Sequence, residues 1–492
     1  MAVVIALDAG TTGVRAFAVD ESGTPVGYRY QELTQHFPRP GWVEHDASEI
    51  WSAIVAVTNR LITDLQQPVA ALGITDQRET VVAWDRRTGR PHHRAIVWQD
   101  RRTAARCDEL REQGALDTVR PATGLVLDPY FSASKVEWLL TEGGVPTGPD
   151  LCIGTIDAWL LWNLTGGNVF ATEPSNASRT MLYDIRTLGW SDELCSLFSV
   201  PRSALPEVLP SSGRFGQTVG DTGLPAGLPI SGIAGDQQAA LFGQACFTPG
   251  MTKNTYGTGS FVLMNVGPEC PAPVEGLLTT VAWTLAGDET AYAYEGAIFS
   301  TGSAVQWLRD GLGLIKEASE VGPLAETVDS TDGVYLVPAF TGLGSPWWDP
   351  YARGLLVGFT RGTTRAHIAR AVVEAMAFQT RDVVDAMSAA SGYPVAELRA
   401  DGGASAADIL LRLQADQLGV PVTRATVPET TALGAAYLAG LAEGVWGSTD
   451  ELADLWAGDE PVAPAADRAA VDADHARWLE AVARSRAWEQ PD

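Results

Sequence analysis

The chain has 492 residues and a mass of 52.3 kDa, more than one compact hydrophobic core usually accommodates, so two large domains are expected. Hydrophobic residues make up 46% and charged residues 19%, as in soluble globular proteins, which excludes a disordered chain. The 34 basic and 60 acidic side chains give a formal net charge of -26, which argues against a nucleic-acid-binding or anionic-membrane surface. A polyphosphate ligand would therefore need backbone amides, a metal ion or an arginine close by.

The cysteines and the opening residues bear on the compartment. The five cysteines are scattered and lack CxxC spacing, which supports neither a disulfide scaffold nor a zinc site and fits a reduced cytoplasm. The opening residues have no basic leader, and their apolar run stops at Asp8, too short for a signal peptide or a membrane span. The sequence therefore predicts a cytoplasmic protein that is not inserted in a membrane.

The predicted elements begin with a β-hairpin that recurs about half a chain later. Residues 3–7 and 14–19 are apolar runs joined by a glycine-threonine turn, and residues 252–256 and 261–266 have the same arrangement. We interpret this repeat as two gene-duplicated halves, each of which opens with a hairpin.

Strands and helices alternate after each hairpin. In the first half, apolar strands such as residues 70–74 and 230–234 alternate with an amphipathic helix over residues 47–65, and the second half continues in the same way. This alternation predicts α/β layers in both halves. We place the division where a helix-like segment gives way to a Pro-Gly turn, which predicts domains of residues 1–245 and 246–492.

The first hairpin turn, Asp8-Ala9-Gly10-Thr11-Thr12-Gly13, has features of an anion-binding loop. Glycine permits a tight turn whose amides face an anion, the threonine hydroxyls add donors, and Asp8 can hold a metal ion through water. Arg15 adds a fixed positive charge. The same residues equally suit a turn that only closes a hairpin.

Two further glycine turns favour the anion-binding interpretation. Tyr256-Gly257-Thr258-Gly259 closes the second hairpin, and two such turns facing each other could clamp a nucleotide phosphate chain between domains. Asp401-Gly402-Gly403 has the spacing of a strand-to-helix turn that a nucleoside can approach closely. The chain has no GxxxxGK[ST] motif and no strand-associated GxGxxG, so P-loop and dinucleotide-binding folds are disfavoured.

Asp236 is the strongest candidate for a catalytic residue. It lies where the apolar run over residues 230–234 ends and an alanine-rich helical segment begins. A carboxylate at the tip of a buried strand and the start of a helix can meet a ligand and stay ionised, as a catalytic base must. Together with the glycine-threonine turns, this carboxylate suggests an ATP-dependent phosphotransferase.

A second polar group follows the strand over residues 70–74. Arg78 can donate to vicinal hydroxyls while Glu79 accepts from them, which suits a small polyol, although a structural salt bridge is the alternative. Three aromatic residues could line an apolar wall against the carbon backbone of such a ligand, or could instead belong to the core. These residues are Trp98, Tyr130 and Phe261.

These residues lie in stretches that resemble the FGGY carbohydrate kinase family, from Ile5 to about Trp446. The resemblance is carried by residues 40–46, 74–80, 95–99, 128–132, 176–182, 232–244, 254–259 and 338–344. It implies two domains of the actin-like ATPase type, each built on a ribonuclease H-like sheet, with ATP and substrate meeting in a catalytic cleft between them. Closure of the domains on the substrate would exclude water.

The resemblance also implies roles for individual residues. Asp236 would be the catalytic base and, with Asp8, would hold Mg²⁺. The implied substrate-binding residues are Arg78, Glu79, Trp98, Tyr130, Asp236, Gln237 and Phe261. The implied ATP-binding residues are Thr11, Thr12, Gly13, Arg15, Thr258, Gly302, Gln306 and Gly403.

The implied reaction is transfer of the γ-phosphoryl group of Mg-ATP to a primary hydroxyl of glycerol, by a homodimer or homotetramer. Two alternatives remain open. The first is a kinase of another small polyol or ketose, such as dihydroxyacetone, erythritol or xylulose. The second is a nucleotide-gated binding protein or chaperone related to actin, which would need a peptide-binding domain or polymer interface that no stretch of the sequence suggests.

The chain departs from the family pattern in two nucleotide-binding stretches. The first turn often continues with two serines after its threonines, whereas this chain has Gly13-Val14, so side-chain hydroxyl contacts are expected to be lost. Family members often carry Asn-Asn after the third turn, whereas this chain has Ala407-Asp408. An amide contact to the adenosine is therefore expected to be missing.

Overall fold

Two six-stranded mixed sheets form the centres of two α/β lobes in the computed structural model, which describes residues 2–489. In the first lobe the strand order is Ser212–Gln217, Pro229–Gly235, Val69–Asp76, Val3–Ala9, Gly13–Val19 and Pro25–Glu32. In the second lobe the strand order is Leu278–Thr284, Thr290–Ile298, Ser260–Gly267, Thr252–Tyr256, Leu398–Asp401 and Val422–Arg424.

The two sheets share a common order of five strands. In each sheet an antiparallel three-strand meander is extended, on the other side of its first strand, by two parallel strands. The sixth strand differs: Ser212–Gln217 lies beyond the parallel strands in the first lobe, whereas Leu278–Thr284 lies beyond the antiparallel strands in the second. The shared five-strand order is that of a ribonuclease H-like sheet, so the predicted fold class is confirmed, and the recurrence of the order agrees with the two halves proposed from the hairpins.

Helices and smaller sheets surround the two central sheets. The helices are Ala47–Leu65, Ala104–Glu112, Leu116–Thr123, Ser132–Thr141, Ile156–Leu164, Pro174–Ala177, Asp192–Leu197, Asp236–Gly243, Gly302–Gln306, Val321–Ala325, Arg365–Ser391, Asp408–Leu418, Thr430–Ala442, Thr449–Leu455 and Arg468–Ser485. A four-stranded sheet contains Glu44–His45, Ala95–Ile96, Val81–Asp85 and Leu151–Thr155. The paired short strands are Tyr183–Asp184 with Gly189–Trp190, Ala171–Thr172 with Glu207–Val208, and Tyr335–Val337 with Leu355–Val357.

The helix Ala47–Leu65 shows how local sequence sets these bounds. The side chain of Asp46 accepts a hydrogen bond from the backbone N–H of Ser48 at 2.8 Å and so caps the first turn. Apolar residues recur at helical spacing, so Ile54 and Leu61 are buried in the same core as the first sheet. The predicted helix over residues 47–65 is confirmed.

Two helices join the lobes across their shared core. The helix Thr430–Ala442 comes from the second half of the chain but packs on the first sheet, and it also packs against the helix Asp236–Gly243. The contact is very close, since a Cβ atom added to Gly434 would lie 1.8 Å from the backbone oxygen of Ala239. Glycine is therefore required at position 434 by the approach of the two backbones.

The predicted division after residue 245 lies between the helix Asp236–Gly243 and the strand Thr252–Tyr256. It stays a prediction, because the helix Thr430–Ala442 crosses back to the first lobe. Within residues 2–489, no helix is both long enough and apolar enough to cross a membrane.

Candidate active site

Three parallel strands of the first sheet place the predicted catalytic residues side by side. Asp8 lies near the end of the first of these strands, Arg78 follows the neighbouring strand, and Asp236 follows the strand beyond it. Asp76 and Gly235 are paired in register, so the carboxyl ends of the strands are level. Ligands of open α/β sheets bind at this edge, which makes it the candidate active site.

Asp236 is oriented by its neighbours and remains accessible. Its Oδ1 accepts a hydrogen bond from the backbone N–H of Gln237 at 2.7 Å and lies 3.1 Å from Nε of Arg78, while 32% of the side chain is exposed. Desolvation by the surrounding protein raises the pKa of this carboxyl group above its ordinary value, although the charges of Arg78 and Lys253 oppose the increase. Asp236 is therefore an accessible carboxylate with a paired cation, which suits a general base.

The buried guanidinium of Arg78 is fixed by acceptors from both lobes. Its two terminal nitrogens donate to the two carboxylate oxygens of Glu295, which lies on the second-lobe strand Thr290–Ile298. The same nitrogens approach Gln238 Oε1 at 3.2 Å and the hydroxyl of Tyr130 at 3.3 Å. Bidentate pairing holds the guanidinium plane, and each of the three nitrogens already faces an acceptor of the protein, since Nε lies beside Asp236.

Glu79 has an unusual backbone conformation at the site. Its φ is +62°, in the left-handed region that residues other than glycine rarely adopt. The side chain accepts a hydrogen bond from Nε of Arg179 at 2.7 Å, and its carbonyl oxygen accepts one from the hydroxyl of Ser132 at 3.0 Å. Strain of this kind persists only where surrounding contacts enforce it, as they do here.

Arg179 and Glu295 complete a buried quartet of charges with Arg78 and Glu79. Arg179 donates a hydrogen bond to Glu295 at 2.9 Å and also pairs with Glu79. Each member of the predicted polyol-binding pair therefore has an oppositely charged partner, since Glu295 pairs with Arg78. The sequence reasoning missed both residues. Arg179 lies in one of the stretches that carry the family resemblance, which is a usable signal, whereas Glu295 lies on a strand with no distinguishing motif.

The predicted aromatic residues form one wall of the site. The ring centroid of Trp98 lies 5.6 Å from that of Tyr130 and 6.4 Å from that of Phe261. The indole Nε1–H of Trp98 donates to Thr11 Oγ1 at 2.9 Å. This hydrogen bond connects the wall to the first glycine-threonine turn, so the two predicted subsites are adjacent.

Gln237 is held by a buried lysine from the second lobe. Nζ of Lys253 donates to Gln237 Oε1 at 2.6 Å, to Thr255 Oγ1 at 2.9 Å and to the backbone oxygen of Phe261 at 3.2 Å. Since the lysine occupies the amide oxygen, the amide NH₂ group of Gln237 remains to donate to a ligand. Burial lowers the pKa of Lys253 to about 8. The sequence reasoning missed this lysine too.

Replacing Lys253 with methionine is expected to raise the KM for a polyol substrate about tenfold, because Gln237 loses the partner that orients its amide. The exposed Lys316 provides the matched control, since K316M should leave KM unchanged. Steady-state assays of the two variants and the wild type measure the KM for the polyol. Equal KM values for K253M and the wild type would contradict an orienting role for the lysine.

The same variant tests the lowered pKa of Lys253. Between about pH 8 and the ordinary lysine value of 10.5, the folded protein binds fewer protons at this group than the unfolded chain does. The free energy of unfolding of the wild type should therefore rise relative to that of K253M as the pH increases through this window. Urea denaturation of both proteins at the two ends of the window measures this difference.

Asp8 and Arg15 place opposite charges beside the first turn. The guanidinium of Arg15 lies 3.6 Å from the carboxylate of Glu429, the residue before the helix Thr430–Ala442. The pKa of Asp8 is raised to about 6, mainly by burial; Arg15 opposes the increase, and the charges of Asp236 and Glu429 contribute to it. Asp8 and Asp236 belong to the same carboxyl edge of the first sheet, because Asp8 is paired with Thr75 and Thr75 with Ala234, two residues before Asp236.

The second turn is tied to the helix Gly302–Gln306. The backbone N–H of Gly302 donates to the oxygen of Gly257 at 3.0 Å, and the N–H groups of Thr301 and Ser303 both donate to the oxygen of Thr258 at 3.0 Å. Thr258 and Gln306 are exposed. The predicted residues of this turn and helix therefore form one surface.

The third turn is packed against the second. Gly402 has a φ of +85°, and a Cβ atom added there would lie 2.5 Å from the backbone oxygen of Tyr256, which precedes the second turn. The carboxylate of Asp401 accepts hydrogen bonds from Gln244 and Thr430 at 2.7 Å each. Gly403 is exposed, and a Cβ atom added to it would meet nothing within 4 Å, so its backbone is open to a ligand.

The predicted substrate-binding residues and the metal-binding pair thus converge at the junction of the lobes. The predicted nucleotide-binding residues lie on three turns around it. Four of them are exposed and make their described contacts within their own lobe, so the structure does not bring them into direct contact across the junction. These four are Thr12, Thr258, Gln306 and Gly403.

Duplicated ribonuclease H-like sheets, with a carboxylate at their junction and glycine turns in both lobes, define an actin-like ATPase fold equipped as a phosphotransferase. Comparison of the sequence with models of protein families matches both domains of one family. Residues 3–243 match the N-terminal domain, and residues 252–443 the C-terminal domain, of the FGGY family of carbohydrate kinases. The chain belongs to this family.

Similar proteins include glycerol kinases from several organisms. The glycerol kinase of Trichlorobacter lovleyi is 54% identical, with 100% of both chains covered. That of Deinococcus radiodurans is 54% identical over 99% of this chain and 98% of the relative. Among solved structures, a Plasmodium falciparum glycerol kinase crystallised with ADP superposes with a TM-score of 0.93 and is 35% identical, over 99% of this chain and 98% of that one.

Proposed function

We propose that this kinase transfers the γ-phosphoryl group of ATP to a primary hydroxyl of glycerol, giving sn-glycerol 3-phosphate and ADP. The observation that carries the proposal is the Asp236 carboxylate, which is exposed to the junction of the lobes and lies 3.1 Å from the buried guanidinium of Arg78. The relatives that are 54% identical over nearly their full length are glycerol kinases, which supports glycerol as the acceptor.

The polar side chains of the site suit a small triol. The amide NH₂ group of Gln237 can donate hydrogen bonds, whereas Arg78 and Glu79, which already have partners within the protein, would share theirs with the ligand. The aromatic wall packs on the carbon backbone of the ligand. Because the quartet of charges and Lys253 hold these groups in place, the site is organised before substrate binds, which reduces the free energy lost to ordering side chains.

Asp236 accepts the proton of the attacking hydroxyl. As the bond between this oxygen and the γ-phosphorus forms, the bond from that phosphorus to the bridging oxygen of ADP breaks, and ADP leaves with the electron pair. A weak base suffices, because a loose phosphoryl-transfer transition state depends mainly on alignment and charge stabilisation. The cation of Arg78 favours the ionised form of Asp236 before reaction.

Asp8 and Asp236 suit a magnesium ion that accompanies ATP. They lie at the same carboxyl edge of the first sheet, and carboxylate oxygens are preferred ligands of Mg²⁺. Within residues 2–489 no group of three or more His, Cys, Asp or Glu side chains is arranged to hold a metal alone. The ion would therefore take its other ligands from phosphates and water, and it would neutralise phosphate charge.

The three glycine turns are the proposed nucleotide site. Thr11, Thr12, Gly13 and Arg15 would contact phosphates from the first lobe, and the second lobe would contribute Thr258, Gly302, Gln306 and Gly403. Closure of the lobes on both substrates would exclude water from the reaction. We also propose a cytoplasmic location, a homodimer or homotetramer, and domains of residues 1–245 and 246–492; sedimentation velocity would measure the assembly.

A coupled assay of ADP release tests the substrate. With glycerol, dihydroxyacetone, erythritol and xylulose supplied in parallel, kcat/KM is expected to be highest for glycerol, because the donors and acceptors match three adjacent hydroxyls on a short chain. A clear preference for one of the other three acceptors would contradict the choice of glycerol and leave the kinase class intact.

A further inference from the structure

Gly13 has no room for a side chain, because Tyr30 occupies the space beside it. A Cβ atom added to Gly13 would lie 2.3 Å from the hydroxyl oxygen of Tyr30 and 2.6 Å from the backbone oxygen of Gln31. Both distances are far below van der Waals contact. The serine expected at this position from the family pattern is therefore sterically excluded, and a phenol hydroxyl lies where its side chain would be.

Strand register places Tyr30 on the same face of the first sheet as the ligand-binding residues. Asp8, Arg15 and Tyr30 are paired in register across three neighbouring strands. Residues opposite one another in a sheet project to the same face. The guanidinium of Arg15 lies 5.9 Å from the ring centroid of Tyr30, and the hydroxyl end of the ring reaches Gly13. The phenol therefore extends from Arg15 toward the first turn.

The hydroxyl of Tyr30 is available to a ligand. The residue is 43% exposed, and within residues 2–489 its hydroxyl has no hydrogen-bond partner. A phenol is a hydrogen-bond donor at neutral pH, and donors gain most when the acceptor is charged. An unpaired donor beside an arginine and a turn rich in backbone amides is suited to an anionic group.

We propose that Tyr30 is a nucleotide-binding residue whose hydroxyl donates a hydrogen bond to a phosphate oxygen, in place of the hydroxyl that Gly13 lacks. The inference rests on the proposed function in one respect, that nucleotide phosphates are the ligand of the first turn. The hydroxyl contact expected to be lost at Gly13 is then supplied from the neighbouring strand.

Replacing Tyr30 with phenylalanine tests this role, because the ring that packs on Arg15 is kept and only the hydroxyl is removed. The KM for ATP should rise about tenfold, and the KM for glycerol should not change. Tyr28 provides a matched control: it lies on the same strand, its ring centroid is also 5.9 Å from the guanidinium of Arg15, and it is 55% exposed. Y28F should bind ATP as the wild type does.

Two further measurements separate a binding role from a structural one. The Tm of Y30F without nucleotide should equal that of the wild type, while the increase in Tm caused by ATP should be smaller. Calorimetric titration with ATP measures the affinity directly, without reference to turnover. Equal ATP affinity of Y30F and the wild type would overturn the inference, as would an equal loss in Y28F. If instead the wild type binds ATP but phosphorylates no polyol, the proposed function fails while the role of Tyr30 is still decided by the titration.

Discussion

Replacing Asp236 with alanine is expected to lower kcat by about 10³-fold or more, because the attacking hydroxyl then loses its proton acceptor. Binding of ATP should remain largely intact, since the turns that would hold the nucleotide are separate from this carboxylate and the proposed Mg²⁺ would keep Asp8, phosphates and water as ligands. Asparagine at the same position keeps the shape and the hydrogen bond from the N–H of Gln237, so D236N isolates the contribution of the charge. Single-turnover and steady-state assays with saturating glycerol measure both variants.

The control for Asp236 is an acidic residue from the same half of the chain that is not part of the site. Asp221 is exposed in the segment before the strand Pro229–Gly235, and D221N should turn over at the wild-type rate. Retention of most activity in D236A would contradict the assignment of Asp236 as the base. A loss of ATP affinity as large as the loss of kcat would instead indicate that the residue acts mainly through the nucleotide.

Replacing Glu295 with glutamine is expected to damage both stability and substrate binding. Although burial by itself raises the pKa of this carboxyl group, Arg179 and Arg78 hold it below its usual value, so the group is ionised in the folded protein. Neutralising it leaves two buried guanidinium groups short of a counter-charge. Loss of one partner of a buried ion pair costs about 3–5 kcal/mol, and we expect a decrease of this size in the free energy of unfolding.

The kinetic effect of E295Q should appear mainly in the KM for glycerol. We expect an increase of about 100-fold, because Arg78 loses the bidentate contact that fixes its direction, whereas the KM for ATP should change little. Glu289 lies just before the same strand and is exposed, so E289Q is the matched control. An E295Q variant that is destabilised but binds glycerol normally would show that the quartet serves folding alone.

The residues that the sequence predicted are those with local signals. Asp236 follows an apolar run, and Thr11 and Thr258 lie in glycine turns, so each was recognisable from its immediate neighbours. Lys253 and Glu295 were missed because their importance comes from pairing with first-lobe residues that are distant in sequence. Such pairing depends on how the two lobes are packed, which neither periodicity nor turn chemistry reveals.

The helix Thr430–Ala442 and Tyr30 also escape prediction from sequence, because their immediate neighbours give no signal. The helix Thr430–Ala442 is buried nearly all round, so its sequence has no polar face and no amphipathic pattern. Tyr30 lies on an edge strand where exposed aromatic residues are unremarkable from sequence alone. Its relation to Gly13 became visible only when the strand register was known, because the two residues are separated by a hairpin.

The crossing of the helix Thr430–Ala442 to the first sheet also constrains how the nascent protein matures. Val4, Ala6 and Ala71 belong to the core that this helix completes, so their cover stays incomplete until the chain beyond residue 430 has left the ribosome. Exposed apolar strands on an unfinished domain attract aggregation and chaperones. One face of the sheet that is translated first is thus completed only by the last third of the chain.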